Sequence, residues 1–78
     1  SIVVELTPRE FAIMTLFMKN PGKALSRDDI LNDVWGRNYF GDIKTVDVHI
    51  RRLREKLENN ASDPQYIKTV WGYGYIWA

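Results

Sequence analysis

Residues 44–57 are the stretch that most constrains how this 78-residue chain can fold. Apolar residues recur there every three or four positions, which places them along one side of an α-helix. These positions are Val46, Ile50, Leu53 and Leu57. The opposite side carries cations and small β-branched residues, where an exposed helix usually mixes Glu, Lys and Gln. The pattern predicts an amphipathic helix with an unusual outer face.

The chemistry of that outer face suits double-stranded DNA. The face consists of Lys44, Thr45, Val48, Arg51, Arg52 and Glu55. An α-helix fits the major groove, Arg pairs bidentately with guanine, and Val can contact a thymine methyl group. We therefore interpret residues 44–58 as a recognition helix. An ordinary solvated charged face remains the alternative, because charge runs are common on exposed helices.

The charge distribution favours one local phosphate-binding surface. The net charge of the chain is only +1. Residues 44–56 carry five Lys or Arg against Asp47 and Glu55, a net +3. Residues 1–43 carry five basic and six acidic side chains, a net −1. Residues 57–78 carry one basic and two acidic side chains, also a net −1. Cations concentrated on one element indicate contact with phosphates at one place.

Composition argues against several other functions. The chain has no Cys and one His, so we expect no disulfide, no metal centre and no other cofactor. No apolar run approaches the ~20 residues that span a bilayer, and no signal-peptide pattern opens the chain. We expect a cytoplasmic protein without membrane contact. Catalysis is not expected, because nothing near His49 in the sequence supplies a nucleophile and an oxyanion site.

Local signals outside residues 44–57 predict two further helices. Residues 7–10 read Thr-Pro-Arg-Glu, a capping box with Pro at the first helical position, and open an apolar core helix over residues 8–19. Residues 26–29 read Ser-Arg-Asp-Asp, a second capping box, and open a short helix over residues 27–35. The hydrophobic content of 45% is sufficient for one compact domain over the whole chain, residues 1–78.

The β-prone runs complete the predicted fold. Residues 66–77 contain two such runs joined by a Gly-containing tip, which predicts a hairpin. Residues 1–6 predict a strand with no partner nearby, and residues 24–25 allow only a very short one. The predicted fold class is therefore α+β, mainly α: a winged helix-turn-helix with a three-helix core and a C-terminal β-hairpin wing.

The connection before the recognition helix, residues 36–43, is about twice as long as the turn of a simple helix-turn-helix. Two interpretations of its aromatic residues stay open. The loop is an exposed contact surface, as functional loops often are, or Tyr39 and Phe40 fold back over the small core. Both can hold for different side chains.

Four motifs follow one another along the chain. They are Leu6–Phe11, Ser26–Gly36, Thr45–Leu57 and Ile67–Tyr75. In this order they resemble the DNA-binding effector domain of bacterial response regulators of the OmpR/PhoB type, and the resemblance covers the chain from Leu6 onward. It implies the output domain of a two-component phosphorelay, whose receiver domain is absent from this chain.

The resemblance also implies partners and contact residues. Two effector domains would bind direct-repeat half-sites of promoter DNA as a head-to-tail homodimer, and the loop before the recognition helix would contact RNA polymerase. The expected base contacts are Thr45, Val48 and Arg52. The expected phosphate contacts are Trp35, Lys44, His49, Arg51, Arg54, Thr69 and Tyr75. The wing residues are Lys68, Trp71, Gly72 and Tyr73, and the polymerase-contact residues are Arg37, Asn38, Tyr39 and Phe40.

Three charged residues of the recognition helix have further interpretations. Arg54 lies about 40° from the centre of the buried stripe, so it can equally pair with an acid at the domain edge. Asp47 and Arg51 are four residues apart, which predicts an ion pair along the helix.

The sequence departs from the family pattern in two places. Relatives often carry Arg where this wing has Trp71, and Trp can stack or wedge but cannot bring a positive charge to the minor groove. Lys68 and Tyr73 then become candidate contacts to the DNA backbone. Family members also have a four-stranded sheet before the first helix, of which only the last strand, residues 2–6, is expected here. Without that sheet one side of the first helix is exposed, which favours association.

A rival function is a winged helix that binds protein. Its anchors would be the wing aromatics Trp71, Tyr73, Tyr75 and Trp77. Such a module has no need for concentrated cations on its third helix, so the charge distribution favours DNA.

Overall fold

The structure is a computed structural model that describes residues 3–78. The elements are α1 (Pro8–Lys19), β1 (Leu25–Ser26), α2 (Arg27–Trp35), α3 (Lys44–Leu57), β2 (Ile67–Val70) and β3 (Gly74–Trp77). The three strands form one antiparallel sheet in the order β1-β3-β2. This confirms the predicted winged helix-turn-helix, with β2 and β3 as the wing.

The helix starts follow from their capping residues. Thr7 Oγ1 accepts the N–H of Glu10 at 3.3 Å, and Glu10 Oε1 accepts the N–H of Thr7 at 2.8 Å, which confirms the first capping box. At α2 the Ser26 hydroxyl accepts the N–H of Asp29 at 3.0 Å. The return bond from the Asp29 carboxylate is not formed in the described structure, so the second predicted capping box is only half present.

The core lies where the three helices meet the sheet. Its buried apolar side chains are Ile13, Phe17, Leu25, Ile30, Val46, Ile50, Leu53, Ile67 and Tyr75. Three of these are the predicted stripe of α3, and Leu57 packs against them half-buried. The stripe anchors α3 on α1 and α2, which turns its other side outward.

The predicted N-terminal strand is wrong for the residues that the structure describes. Residues 3–6 form no strand, because no partner strand supplies the other half of a ladder; Ser1 and Ile2 lie outside the described residues. The prediction that α1 is an apolar core helix holds only in part. Phe11 is 65% exposed and Met18 is half exposed.

Glu58 joins the end of α3 to the start of the wing. The helix ends at Leu57, one residue before the predicted end, and the buried Glu58 carboxylate accepts three backbone N–H groups. The donors are Gln65 at 2.7 Å, Tyr66 at 3.1 Å and Ile67 at 2.9 Å. Burial alone would raise the pKa of Glu58, but these donors outweigh it and hold the pKa below its ordinary value of 4.5.

A second buried carboxylate ties α1 to α3. Glu10 is almost fully buried, and its Oε1 lies 2.5 Å from Nζ of Lys56. Burial opposes the charged form of Glu10, but the Lys56 ammonium and the N–H of Thr7 together keep its pKa below the ordinary value. Loss of one partner would leave a buried charge uncompensated.

The three N–H bonds to the Glu58 carboxylate, here called the Glu58 clamp, predict a loss of stability in acid. Because its folded pKa is depressed, its contribution is present above about pH 4.5 and is lost as the pH falls through the folded pKa. Glu58→Gln should lower the free energy of unfolding by about 1–3 kcal/mol at neutral pH, and the difference from wild type should shrink in acid. Urea unfolding at several pH values measures this. The exposed control Glu55→Gln should stay within about 0.5 kcal/mol; equal stability of Glu58→Gln and wild type at neutral pH would refute the clamp.

Candidate nucleic-acid interface

The outer face of α3 is open to solvent. Arg51 and Arg52 are exposed, and Val48 is 46% exposed. Neither guanidinium has an ion-pair partner within residues 3–78, where the ion pairs are Arg27–Asp47 and Lys56–Glu10. The face therefore presents two exposed cations and a partly exposed apolar side chain.

Asp47 is the polar link between α2, α3 and β3. Its Oδ2 accepts Nη2 of Arg27 at 2.7 Å, and its Oδ1 accepts the Tyr75 hydroxyl at 2.6 Å. Burial, the hydrogen bond to Asp47 and the charge of Asp47 raise the pKa of Tyr75 to about 12, so the phenol stays protonated and donates. The predicted Asp47–Arg51 pair is wrong, because Arg27 takes the carboxylate and leaves Arg51 free to face outward.

Arg54 attaches the wing to α3. Its Nε and Nη2 donate to the carbonyl of Ile67 at 3.0 and 2.8 Å, and Nη2 also donates to Thr69 Oγ1 at 2.9 Å. The guanidinium lies 5.4 Å from the centre of the Tyr75 ring. The alternative prediction for Arg54 fails as well, since it pairs with no acid in the described part of the chain.

Three of the expected phosphate-contact residues therefore form hydrogen bonds within the domain. Arg54 donates to Ile67 and Thr69 of the wing, so Thr69 Oγ1 is an acceptor. Tyr75 is only 8% exposed, and its hydroxyl donates to Asp47. Their phosphate contacts stay predictions, and we leave these three residues out of the phosphate set proposed below. They position the wing relative to α3.

The wing tip is a tight turn carrying two exposed aromatic rings. Val70 pairs with Gly74, and Gly72 takes a φ of 72°, the left-handed region that favours glycine. Trp71 is 90% exposed and Tyr73 is about half exposed. Lys68 is exposed on the same hairpin. A groove runs between α3 and the wing, and Arg51 and Trp71 both line it.

Trp35, at the end of α2, and His49, on α3, form a half-buried aromatic pair. Their rings meet edge to face at 4.9 Å, and the Arg9 guanidinium lies 5.0 Å from the centre of the indole. His49 Nδ1 is 2.8 Å from the carbonyl of Thr45. A carbonyl only accepts, so Nδ1 carries the proton in this arrangement and donates.

The loop before α3 combines both interpretations left open by the sequence. The Tyr39 ring lies 6.3 Å from that of Trp35 and partly folds back, whereas Phe40 is 97% exposed. Arg37 and Asn38 are exposed as well. The loop therefore offers an exposed surface next to the contact between Tyr39 and Trp35.

Sequence reasoning missed the role of Arg27. One signal was available: Arg27 is the first residue of α2, and a cation at a helix N-terminus is disfavoured by the helix dipole. Such a position implies a compensating acidic partner, which the structure identifies as Asp47. Which acid it would be depends on the packing of α2 on α3, and sequence spacing does not supply that.

A three-helix core with a recognition helix and a hairpin wing defines the class of winged-helix DNA-binding domains. The profile of the family described as transcriptional regulatory protein, C terminal, matches residues 2–77. The chain belongs to this family, as a DNA-binding output domain of the OmpR/PhoB-type response regulators.

Curated relatives agree with the family. The chain is 53% identical over 70 residues to the alkaline phosphatase synthesis transcriptional regulatory protein SphR of Synechococcus elongatus, covering 90% of this chain and 27% of SphR. It is 47% identical over 72 residues to the uncharacterized transcriptional regulatory protein YcbL of Bacillus subtilis, covering 92% of this chain and 32% of YcbL. The chain thus spans about a third or less of these relatives.

Solved structures share the fold. The DNA-binding domain of Bacillus subtilis CssR superposes with a TM-score of 0.87 at 37% identity, covering all of this chain and 83% of that one. The Klebsiella pneumoniae RstA DNA-binding domain in complex with the RstA box gives 0.85 at 39% identity, with coverages of 96% and 74%. Within residues 3–78, no helix is long and apolar enough to cross a membrane.

The attachment of the wing predicts different roles for neighbouring arginines. Arg54→Lys should lower the free energy of unfolding by about 1–2 kcal/mol, because an ammonium cannot keep the bonds to both Ile67 and Thr69. Arg51→Lys, on the exposed face, should change it by less than about 0.5 kcal/mol. Urea unfolding of the two variants gives the comparison, and equal effects would show that Arg54 does not hold the wing.

Proposed function

We propose that this chain binds promoter DNA by placing the exposed face of α3 in the major groove, as the output domain of a two-component response regulator. The observation that carries the proposal is that the side chains of Arg51 and Arg52 are exposed and form no ion pair among residues 3–78. Both project from α3 beside a firmly attached wing. Guanidiniums without such partners keep their donors available for bases and phosphates.

Base reading belongs to the part of the face farthest from the core. Arg52 would pair bidentately with guanine, and Val48 would contact a thymine methyl group. Thr45, half-buried one turn earlier, lies at the edge of this surface and completes the set. The burial of Val46 and Ile50 keeps the helix from rotating these side chains away from the duplex.

Phosphate contacts would flank the base-reading residues. The proposed set is Lys44, His49, Arg51 and Trp35 around α3, with Lys68 and Tyr73 on the wing. Lys44, Arg51 and Lys68 are exposed, and the second ring nitrogen of His49 is not used by the bond to Thr45. Such contacts fix orientation without reading sequence.

The assembly on DNA is proposed from the family and from two solved relatives. The RstA DNA-binding domain was solved with the RstA box, and the AdeR DNA-binding domain with an intercistronic region. We propose that residues 1–78 form a single domain of a longer cytoplasmic regulator with a receiver domain. Two copies would occupy direct-repeat half-sites head to tail, and the exposed loop 37–40 would contact RNA polymerase.

The rival function, a protein-binding winged helix, is less well supported. Two of its four proposed anchors are used inside the domain: Tyr75 is buried, and Trp77 stacks on Tyr66 with ring centres 5.6 Å apart. Of the four anchors, only Trp71 and Tyr73 are exposed.

Selecting bound duplexes from a random pool tests the proposed DNA-binding function directly. Enriched repeats about one helical turn apart are expected, and the absence of any enriched sequence would contradict it.

Arg52→Ala should weaken binding to the selected duplex by about 1–3 kcal/mol and reduce discrimination at one base position. The reason is that a bidentate contact distinguishes guanine from the other bases. Binding to the selected duplex and to its single-base variants measures both effects. If the variant loses affinity equally for every sequence, Arg52 does not read a base.

Arg51→Ala should weaken binding to all duplexes alike. It should also lower the slope of log affinity against log salt by about one, because one phosphate contact releases about one counterion. Titrations at several salt concentrations measure the slope. Lys23→Ala is the control, because Lys23 lies away from the proposed interface. Its neighbour Gly22 donates its N–H to the carbonyl of Trp77, at the end of β3 farthest from the wing tip. An unchanged slope for Arg51→Ala would exclude a phosphate contact.

A further inference from the structure

The tip of the wing exposes an indole that the domain does not use. Trp71 is 90% exposed, whereas Trp35 and Trp77 are half-buried and each contacts another aromatic ring. Trp71 sits directly before Gly72, whose positive φ makes the turn. Its side chain therefore projects from the most advanced point of the hairpin.

The chemistry of the tip suits nucleobases better than phosphates. From Tyr66 to Ala78 the only charged side chain is Lys68, and it lies on β2 rather than in the turn. The turn itself brings Trp71, Gly72 and Tyr73 to any partner. Aromatic rings bind bases by stacking, which needs no charge and tolerates every base.

The wing is attached to α2 and α3 at several points along its length. Arg54 grips the carbonyl of Ile67, Asp47 accepts the Tyr75 hydroxyl, and the N–H of Arg27 donates to the carbonyl of Tyr73 at 3.2 Å. If a side chain inserts between two stacked base pairs, separating those pairs costs a few kcal/mol. A preorganised support avoids the additional cost of ordering the inserted group.

The position of Trp71 relative to α3 directs it to the same duplex. Trp71 and Arg51 line the two sides of one groove. With α3 in the major groove, the wing tip lies over the adjacent backbone and minor groove. The turn carries no cation that could bind in a narrow minor groove. It carries the flat apolar ring of Trp71, and apolar side chains inserted between base pairs unstack them.

We propose that Trp71 is a stacking wedge: its indole enters the minor groove beside the α3 site, stacks at one base step and kinks the duplex. This inference rests on the proposed DNA-binding function. It makes Trp71 a specificity-determining residue, because pyrimidine–purine steps such as TA and CA open most easily. The domain then reads the flexibility of the duplex at a position that brings no positive charge.

The decisive variant is Trp71→Ala, tested on the duplex that the wild-type chain selects from a random pool. Loss of the stacked ring should weaken binding about 5- to 100-fold. It should also reduce the bend, measured by energy transfer between dyes at the two ends of the duplex. Phe11→Ala is the matched control, because Phe11 is another exposed aromatic but lies on α1; it should leave affinity and bend unchanged.

Two further variants separate stacking from charge. Trp71→Phe should keep part of the bend, because a smaller ring still stacks. Trp71→Arg should lose the bend and shift the flanking preference from flexible steps to narrow A-tracts. Placing 2-aminopurine at the flanking step adds a local readout: its fluorescence should rise on binding of the wild type and not on binding of Trp71→Ala.

The outcomes distinguish this inference from the proposed function. If the wild-type chain selects no duplex, the proposed function fails. If it selects a duplex and Trp71→Ala binds and bends that duplex equally well, the wedge is refuted while the DNA-binding function stands. A loss of affinity with an unchanged bend and an unchanged 2-aminopurine signal also refutes the wedge, since Trp71 would then contact only the backbone.

Discussion

Burial of Val46, Ile50 and Leu53 is the constraint on which the rest of this structure depends. These side chains are inaccessible to solvent, and exposing any of them would cost about 1.5–3 kcal/mol. α3 can therefore not rotate about its axis, and its other side, with Val48, Arg51 and Arg52, must face outward. The same hydrophobic contacts that hold the helix on the core thus determine what it presents to a partner.

The wing depends on α3 through polar contacts of a different kind. Glu58 gathers the first N–H groups of the wing, Arg54 holds its first carbonyl, and Asp47 takes the Tyr75 hydroxyl. Asp47 and Arg54 are half-buried on α3, and Glu58 directly follows the end of the helix. Arg54, an expected phosphate contact, thus acts with Asp47 and Glu58 to orient the wing relative to α3. The cations left over are the ones suited to DNA.

Much of the fold could be predicted because its signals are local. The Thr7–Glu10 capping box, the periodicity of α3 and the Gly-containing hairpin each lie within a few residues and act the same way in many proteins. Arg27–Asp47 and Arg54–Ile67 could not be found, because they join residues 20 and 13 positions apart whose meeting depends on packing. The N-terminal strand failed for a related reason: β-propensity at residues 3–6 has no effect without a neighbouring strand.

The most direct test of the central claim is an NMR titration of the chain with its selected duplex, following backbone and arginine side-chain N–H signals. The account predicts that the largest shifts occur along residues 44–52 and at the wing tip, including the side chains of Arg51 and Arg52, while the Arg54 side chain keeps its signal. Shifts centred on the exposed side of α1 around Phe11 and Met18, with the outer face of α3 unaffected, would contradict it.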